Sequence, residues 1–398
     1  MVLRRMLVST SLVFLLFVVL HASAISAQTA TASKHGSRAV ASLVLSTPLD
    51  YQVFQRQTLR RGVVRILGRS NVAAGRAEVR ILGQSLAGPL PAKWYPLSLE
   101  PSTGEFHADL DIAAGGFFAV EVRAWRGRRE IARVRVLHVG VGEVFVVSGQ
   151  SNSTNYGEVR QVTETGMVTT FNGEAWRPAN DPQPGVQDSS AKGSFIPPFG
   201  DALYRRYHVP IGIASVGHGS TSVRQWLPAG ENVEVMPTMT RYVARGSDGS
   251  LTSDGTLFDG LMERIEQLGP HGFRAVLWHQ GESDSHQLPE HEITADVYRR
   301  MLEEVILASR KRAGWEIPWF VAQATYHTPS DTSCQQIRDA QESLWRTGIA
   351  IQGPDTDTLT SEYRQNNGQG THMNDAGLKT HGLLWALSVE RYLDPLLR

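Results

Sequence analysis

Five short polar groups in this sequence carry side chains capable of chemistry, and four of them come directly or shortly after an apolar run. Ser148-Gly149-Gln150-Ser151-Asn152 follows Val144-Phe145-Val146-Val147. Gly217-His218-Gly219-Ser220-Thr221 follows Pro210-Ile211-Gly212-Ile213-Ala214-Ser215-Val216. His279-Gln280-Gly281-Glu282-Ser283-Asp284 follows Arg274-Ala275-Val276-Leu277-Trp278, and Asp355-Thr356-Asp357 comes shortly after Ile349-Ala350-Ile351. The fifth, Gly370-Thr371-His372-Met373-Asn374, opens the last helical pattern. A serine hydroxyl becomes a nucleophile when a base takes its proton, and imidazole is the side chain best suited to that near neutral pH. The oxyanion formed at an attacked carbonyl needs N–H donors. Ser151 and His372 therefore read as nucleophile and base. The backbone N–H groups of Ser151 and Gly219 and the side-chain amide of Gln280 read as donors. Taken singly, each group has a plainer explanation: a serine in a polar turn, a glycine in a turn, acids on a solvated loop. Their joint placement after strand-like runs is what points to a serine esterase. No G-x-S-x-G elbow surrounds Ser151, which argues against an α/β-hydrolase.

The elements that must position these groups alternate between strand and helix. Strand-like runs lie at 144–148, 210–216, 274–278, 317–322 and 349–351. Helical patterns lie between and after them at 199–207, 257–268, 293–312, 337–346 and 378–393. This alternation predicts an α/β fold with a doubly wound, five-stranded parallel sheet. Such sheets place their chemistry beyond the carboxyl ends of the strands. Residues 151–197 and 220–255 read as long Gly-, Pro- and polar-rich loops that shape a binding site.

Upstream, 43–139 has a different texture. Runs at 63–68, 77–82, 118–125 and 131–137 alternate apolar and polar residues, with glycine and proline between them. They predict a small antiparallel β-sandwich. Residues 139–141 form a tight junction to a second domain spanning 140–398.

The first 27 residues combine Arg4 and Arg5, an apolar run from Leu7 to Leu20, and small residues up to Ala27. This predicts a signal peptide cleaved near Ala27, followed by a small polar leader over 28–42, and hence a secreted or periplasmic protein with no membrane span after cleavage. The 39 basic and 39 acidic residues balance, which gives no electrostatic case for binding nucleic acid or an anionic membrane. Cys334 is the one cysteine, so an internal disulfide and a cysteine-type zinc site are both excluded.

Gly149-Gln150-Ser151-Asn152, His279-Gln280-Gly281-Glu282-Ser283 and Thr371-His372-Met373-Asn374 resemble the signature blocks of the SGNH/GDSL-type hydrolases, closest to the sialate O-acetylesterase and acetylxylan esterase branch (carbohydrate esterase family 6). The stretch from Pro210 to Trp226 resembles that branch's second block. The resemblance covers about 141–391. It implies a flavodoxin-like sheet and hydrolysis of O-acetyl esters on a sugar without metal or cofactor. By it Ser151 is the nucleophile and His372 the base, and Gly219 and Gln280 complete the oxyanion hole. One departure stands out: the family's acid three residues before the histidine is Gln369 here. Glu282 is the first candidate for the missing triad acid, Asp357 and Asp355 come next, and a dyad assisted by a backbone carbonyl is a further option.

Two other classes compete. His279, Glu282, Asp284, His286, Glu290 and His291 crowd one segment, as in a metal-dependent hydrolase, although Pro289 breaks any helix that would align them. A non-catalytic carbohydrate-binding protein on an esterase fold is the other, with Trp176, Trp226 and Trp278 as stacking platforms and Gln369 as its motive. A lipase on the same fold is a variant within the esterase class.

Overall fold

The computed structural model of the protein describes residues 41–396; the expected signal peptide and nearly all of the expected polar leader lie outside the described residues. One long strand, Arg129–Gly149, is its spine. Its first part pairs antiparallel with Gly115–Arg126. From Glu143 onward it pairs parallel with Ile211–Ser215 on one side and with Ala275–His279 on the other. The sequence suggested two strands with a junction at 139–141, and the chain instead runs straight through. Closely spaced β-branched residues with no proline favour this continuity. Gly140 and Gly142 do not interrupt it, because the strand needs them: a Cβ at Gly142 would lie 1.8 Å from the carbonyl oxygen of Pro210.

Six strands lie parallel, in the order Val168–Phe171, Ile211–Ser215, Arg129–Gly149, Ala275–His279, Trp319–Gln323, Ile351–Asp355. The five expected strands are all among them. The sixth, with an antiparallel edge partner at Trp176–Pro178, falls in a stretch read as loop. Val168-Thr169-Thr170-Phe171 is a short β-branched and aromatic run, all buried, that the surrounding polar residues masked. A second small hairpin, Val243–Arg245 with Leu251–Ser253, occupies the other long loop.

Helices cover both faces of this sheet, which explains why its strands are apolar without alternation. Ile196–Tyr207 and Asp375–Leu396 bury Phe199, Leu203, Trp385 and Val389 in one core with Phe145 and Val147. Thr256–Leu268, Ala295–Ala313 and Gln335–Arg346 pack in a second core with Val144 and Val146. The first helix begins earlier than its apolar period suggested because Pro197 and Pro198 sit in its opening turn, where no N–H is required of them.

The preceding β region has two sheets linked by Tyr95–Leu99, which pairs with both Arg76–Leu82 and Glu105–Ala113. Leu43–Thr47 and Arg61–Ser70 complete one sheet, and Gly115–Arg126 leads the other into the central strand. Val64, Ile66 and Phe106 from one sheet share a core with Val79, Val120 and Val122 from the other. The strands 43–47, 95–99 and 105–113 are among the additions to the four expected. A buried ion pair fastens this region to the parallel sheet: Arg56 Nε lies 2.6 Å from Glu143 Oε1, both side chains fully buried, and Arg274 Nε lies 2.8 Å from Glu143 Oε2. Two guanidinium partners compensate the carboxylate's lost hydration. Among the described residues no helix is long and apolar enough to cross a membrane.

Candidate active site

Because the six strands are parallel, the groups singled out after them gather at one sheet edge. The central strand ends at Gly149, whose φ is +126°. A Cβ there would lie 2.0 Å from the carbonyl oxygen of His279, so glycine is required for the close approach. Gln150 N–H then donates to that oxygen at 2.9 Å, and Ser151–Ser153 form a single 3-10 turn. Ser151 is 5% exposed at the floor of the site. Its neighbour Gln150 is a fastener: Gln150 Oε1 accepts from the N–H of Ser283 at 3.0 Å and of Gly281 at 3.3 Å. This holds the turn after the central strand to the turn after Ala275–His279.

Gln280 plays a similar part, which differs from its expected role as an oxyanion donor. It is 0% exposed. Its Nε2 donates to Asp284 Oδ2 at 2.7 Å and to the Thr221 carbonyl at 3.1 Å, with Gln150 Oε1 a third acceptor at 3.3 Å, so both hydrogens of the amide are engaged. Its Oε1 accepts from Tyr298 Oη at 3.1 Å. Asp284 also accepts from Ser222 Oγ at 2.5 Å and Val223 N–H at 2.9 Å, and its Oδ1 lies 3.3 Å from the buried Arg224 guanidinium. Gln280 and Asp284 thus brace the 217–226 loop from below.

The structure does not bring Glu282, Asp355 or Asp357 to His372. Glu282 Oε1 accepts from Asn152 Nδ2 at 2.9 Å, while Oε2 is buried without a partner. Burial is the main reason its carboxyl is pushed up to about 7. His279 Nδ1 lies 3.7 Å from Oε1, and burial, reinforced by the charge of Arg364, lowers that imidazole to about 3. Asp357 accepts from the N–H groups of Thr325 and Tyr326 at 2.6 and 2.8 Å and pairs with Arg338. Asp355 also pairs with Arg338 and accepts from Asp357 N–H, capping the turn that follows its strand. Both aspartates are structural at the end of Ile351–Asp355.

His372 meets a residue that sequence reasoning missed. Its Nδ1 lies 2.9 Å from the side-chain amide of Gln365, seven positions upstream, and not against Gln369. Asn366-Asn367-Gly368 reverses the chain with φ values of 56°, 55° and 84°. The reversal sets Gln365 opposite His372, and Gln365 N–H donates to the His372 carbonyl at 2.9 Å. Asn-Asn-Gly is a turn signal that could have located this pairing in the sequence. The two ends of the Gln365 amide are interchangeable in shape. With Nε2 facing the ring, the imidazole proton sits on His372 Nε2; with Oε1 facing it, Nδ1–H is accepted and Nε2 is free as a base. Burial lowers His372 to about 4, helped by the charges of Arg364 and Lys192, so the ring is neutral at neutral pH.

Two contacts join the His372 loop to the segment that follows Ser151. Asn152 Nδ2 lies 3.4 Å from the Thr371 carbonyl, and the ring of Tyr156 stacks on His372 with centroids 4.9 Å apart. Tyr156 also packs on Gly219, where a Cβ would lie 2.6 Å from its ring. The Gly219 N–H donates to Asp188 Oδ2 at 2.6 Å. Tyr156, Asp188 and Lys192 come from the 151–197 stretch whose length alone marked it as site-forming. Arg364 underlies the site, donating to the Thr371 carbonyl at 2.6 Å and lying 3.9 Å over the Tyr326 ring.

The segment 279–291 does not converge on one point. His279 and Glu282 face the buried floor, Asp284 is bound to Arg224, and His291 Nδ1 is 2.7 Å from the Met236 carbonyl. Nor are the three tryptophans sugar platforms. Trp226 and Trp278 are fully buried and meet edge to face at 5.2 Å, and buried Trp176 stacks on Phe171 at 4.9 Å.

Comparison with known proteins agrees with this arrangement. No curated protein matches the chain in sequence. Among solved structures, a carbohydrate acetylesterase from Xanthomonas citri superposes with a TM-score of 0.55 at 19% identity, over 87% of this chain and 75% of its own, a likeness of fold. An Arabidopsis thaliana protein gives a TM-score of 0.44 at 17% identity, over 63% of this chain and 98% of its own, too low to carry an argument. The family described as carbohydrate esterase, sialic acid-specific acetylesterase, matches residues 141–390, which takes in every strand end described above from Ser151 to His372. With well over half of its length matched and the family's serine and histidine blocks brought to one sheet edge, the chain belongs to the sialic acid-specific acetylesterase family of carbohydrate esterases, which are ester hydrolases.

Proposed function

We propose that this protein is an exported serine esterase, secreted or periplasmic, that removes O-acetyl groups from a carbohydrate of the sialate or acetylxylan type through an acetyl-serine intermediate. The observation that carries the reading is the approach of the Ser151 turn to the His372 loop, through Asn152 and Thr371 at 3.4 Å, with a neutral imidazole above it. The strand order with helices on both faces also fits the flavodoxin-like winding of SGNH hydrolases.

With the Gln365 amide turned so that its Oε1 accepts from His372 Nδ1–H, Ser151 Oγ attacks the acetyl carbonyl carbon while His372 Nε2 takes the hydroxyl proton. The tetrahedral oxyanion is met by the Ser151 N–H, which opens a 3-10 turn where N–H groups lack intrahelical partners. The Gly219 N–H joins it once Asp188 releases that donor. As the carbonyl re-forms, the C–O bond to the sugar breaks, and the imidazolium returns its proton to the sugar oxygen. Water, deprotonated by His372, then attacks the acetyl-serine and releases acetate. Gln365 orients the imidazole through Nδ1. It supplies no negative charge, so the imidazolium is stabilised less than in an Asp-assisted triad.

The test is acetate release from p-nitrophenyl acetate and from acetylated sialic acid and xylan. Wild type is expected to be active, and Ser151→Ala and His372→Ala to be inactive while folded. A folded wild type inert on every ester would replace this reading with that of a carbohydrate-binding protein on an esterase fold.

A further inference from the structure

Beside the candidate active site, two elements bring a pair of imidazoles and a carboxylate together. His286 follows the short helix Glu282–Ser285. His327 and Asp331 lie on the loop after Trp319–Gln323. That loop is closed on itself: the N–H groups of His327 and Thr328 both donate to the Asp331 carbonyl at 3.1 Å, and Asp331 N–H donates to the Thr328 carbonyl at 2.9 Å. Both of its ligand-type side chains are therefore held on one turn.

The ring of His286 is fixed in orientation. Its Nε2 lies 2.6 Å from the Thr325 carbonyl. A carbonyl only accepts, so Nε2 carries the proton. Nδ1 faces the carboxylate oxygen Oδ2 of Asp331, and a metal bound there takes the place of the proton that otherwise joins the two atoms. The His327 ring stacks on His286 with centroids 4.5 Å apart and planes 20° apart. One ligand atom from each of the three residues lies within 4.8 Å of the others. The side chain of His286 is 8% exposed and that of Asp331 is 46% exposed, so the cluster has a buried back and an open front.

The geometry points to a divalent transition-metal site of the zinc type, with His286 Nδ1, His327 and Asp331 as ligands and an open position for water. Two imidazoles and one carboxylate are a donor set for Zn²⁺ and unsuited to Mg²⁺ or Ca²⁺. Ligand atoms around tetrahedral zinc stand about 3.3 Å apart, so on binding the turn that carries Asp331 and His327 resets, with Asp331 Oδ2 moving away from His286 Nδ1 to that spacing. A backbone carbonyl taking the far N–H of a ligating histidine is the usual outer contact of such sites. The position also gives the metal a role. Thr371 Oγ1 donates to the His327 carbonyl at 2.9 Å, and Thr371 precedes His372. An ion here braces the loop beneath the histidine and takes no part in ester cleavage, so the site stands or falls independently of the proposed activity.

The test uses the untagged full-length protein after chelator treatment, titrated with Co²⁺ and then Zn²⁺ by calorimetry and visible absorption. One equivalent of Co²⁺ with visible d–d bands, displaced by Zn²⁺ and accompanied by a rise in Tm, is expected for wild type. His327→Ala and Asp331→Asn are expected to lose the equivalent, and the control His291→Ala to keep it. Absence of saturable binding to wild type overturns the site and leaves His286 and Asp331 as a protonated ion pair. Equal binding by wild type and both variants overturns it as well.

Discussion

The side-chain amide of Gln365 stands 2.9 Å from His372 Nδ1, where a serine esterase usually has a carboxylate. The imidazole is thus oriented by a neutral partner, and burial, helped by the charges of Arg364 and Lys192, lowers its affinity for a proton. Gln365→Glu puts a negative charge within hydrogen-bond reach of Nδ1 and favours imidazolium, by about 1–3 pH units for a carboxylate this close. The acid limb of kcat/KM on p-nitrophenyl acetate is expected near pH 4 in wild type, where His372 becomes protonated, and at higher pH in the variant. Gln365→Ala should lower kcat roughly tenfold, the scale of one lost hydrogen bond of about 1.4 kcal/mol. An acid limb that stays put in Gln365→Glu would remove His372 from the role of base.

Glu282 lies on the floor of the site, and its buried carboxyl has a pKa raised from 4.5 to about 7. A raised pKa means that the folded state holds a proton the unfolded state has released. Its contribution to stability is therefore full below pH 4.5 and is lost as pH rises towards 7. Glu282→Gln keeps the acceptor for Asn152 Nδ2 and abolishes the titration. The difference in unfolding free energy between variant and wild type should grow in the variant's favour between pH 4.5 and 7 and then level off. Denaturant unfolding at four or five pH values measures this, and a flat difference would mean that Glu282 is ionised throughout.

Gly219 and Tyr156 offer a way to disturb the histidine without touching it. A Cβ at Gly219 would meet the Tyr156 ring at 2.6 Å, and that ring stacks on His372. Gly219→Ala should displace the ring pair and reduce kcat by about 10- to 100-fold, the effect of a roughly 1 Å misplacement near reacting atoms. The fold, held by other contacts, should melt within a few degrees of wild type. Gly219→Ala combined with Tyr156→Ala should recover part of the rate, and if it does not, the glycine acts through its own N–H.

How far the sequence reached follows from where each signal resides. Strands such as Val144–Val147 and Ala275–Trp278 were legible because burial on both faces requires unbroken apolar runs. Ser151, Glu282 and His372 stood out as candidates because they follow or flank those runs. The roles of Gln280 and Glu282 were not, since a side-chain amide or carboxylate shows its partners only after the turns of different strands have been brought together. Gln280 spends both hydrogens on Asp284 and Thr221, and Glu282 serves Asn152. Gln365 was hidden because a fixed spacing from the histidine points to Gln369, whereas the left-handed Asn366 and Asn367 bring residue 365 round instead. The continuous strand Arg129–Gly149 was divided in the reading because its surface half alternates and its buried half does not, although the backbone is the same.

Asp284 tests whether the loops at the sheet edge are held by a single buried carboxylate. It accepts from Ser222 Oγ, Val223 N–H and Gln280 Nε2, and it lies 3.3 Å from the fully buried Arg224. Asp284→Ala strands that guanidinium without its counter-charge and removes the nearest acceptor of Gln280 Nε2. Loss of one partner of a buried pair costs about 3–5 kcal/mol. Asp284→Asn retains part of the hydrogen bonding and should cost less, and Asp284→Ala with Arg224→Met should recover much of the loss by removing the stranded charge. Urea unfolding of the three variants gives the comparison. If Asp284→Ala unfolds at the same midpoint as wild type, Arg224 is satisfied by its carbonyl contacts to Val235 and His291 alone, and the 217–226 loop is braced by Gln280 without the carboxylate.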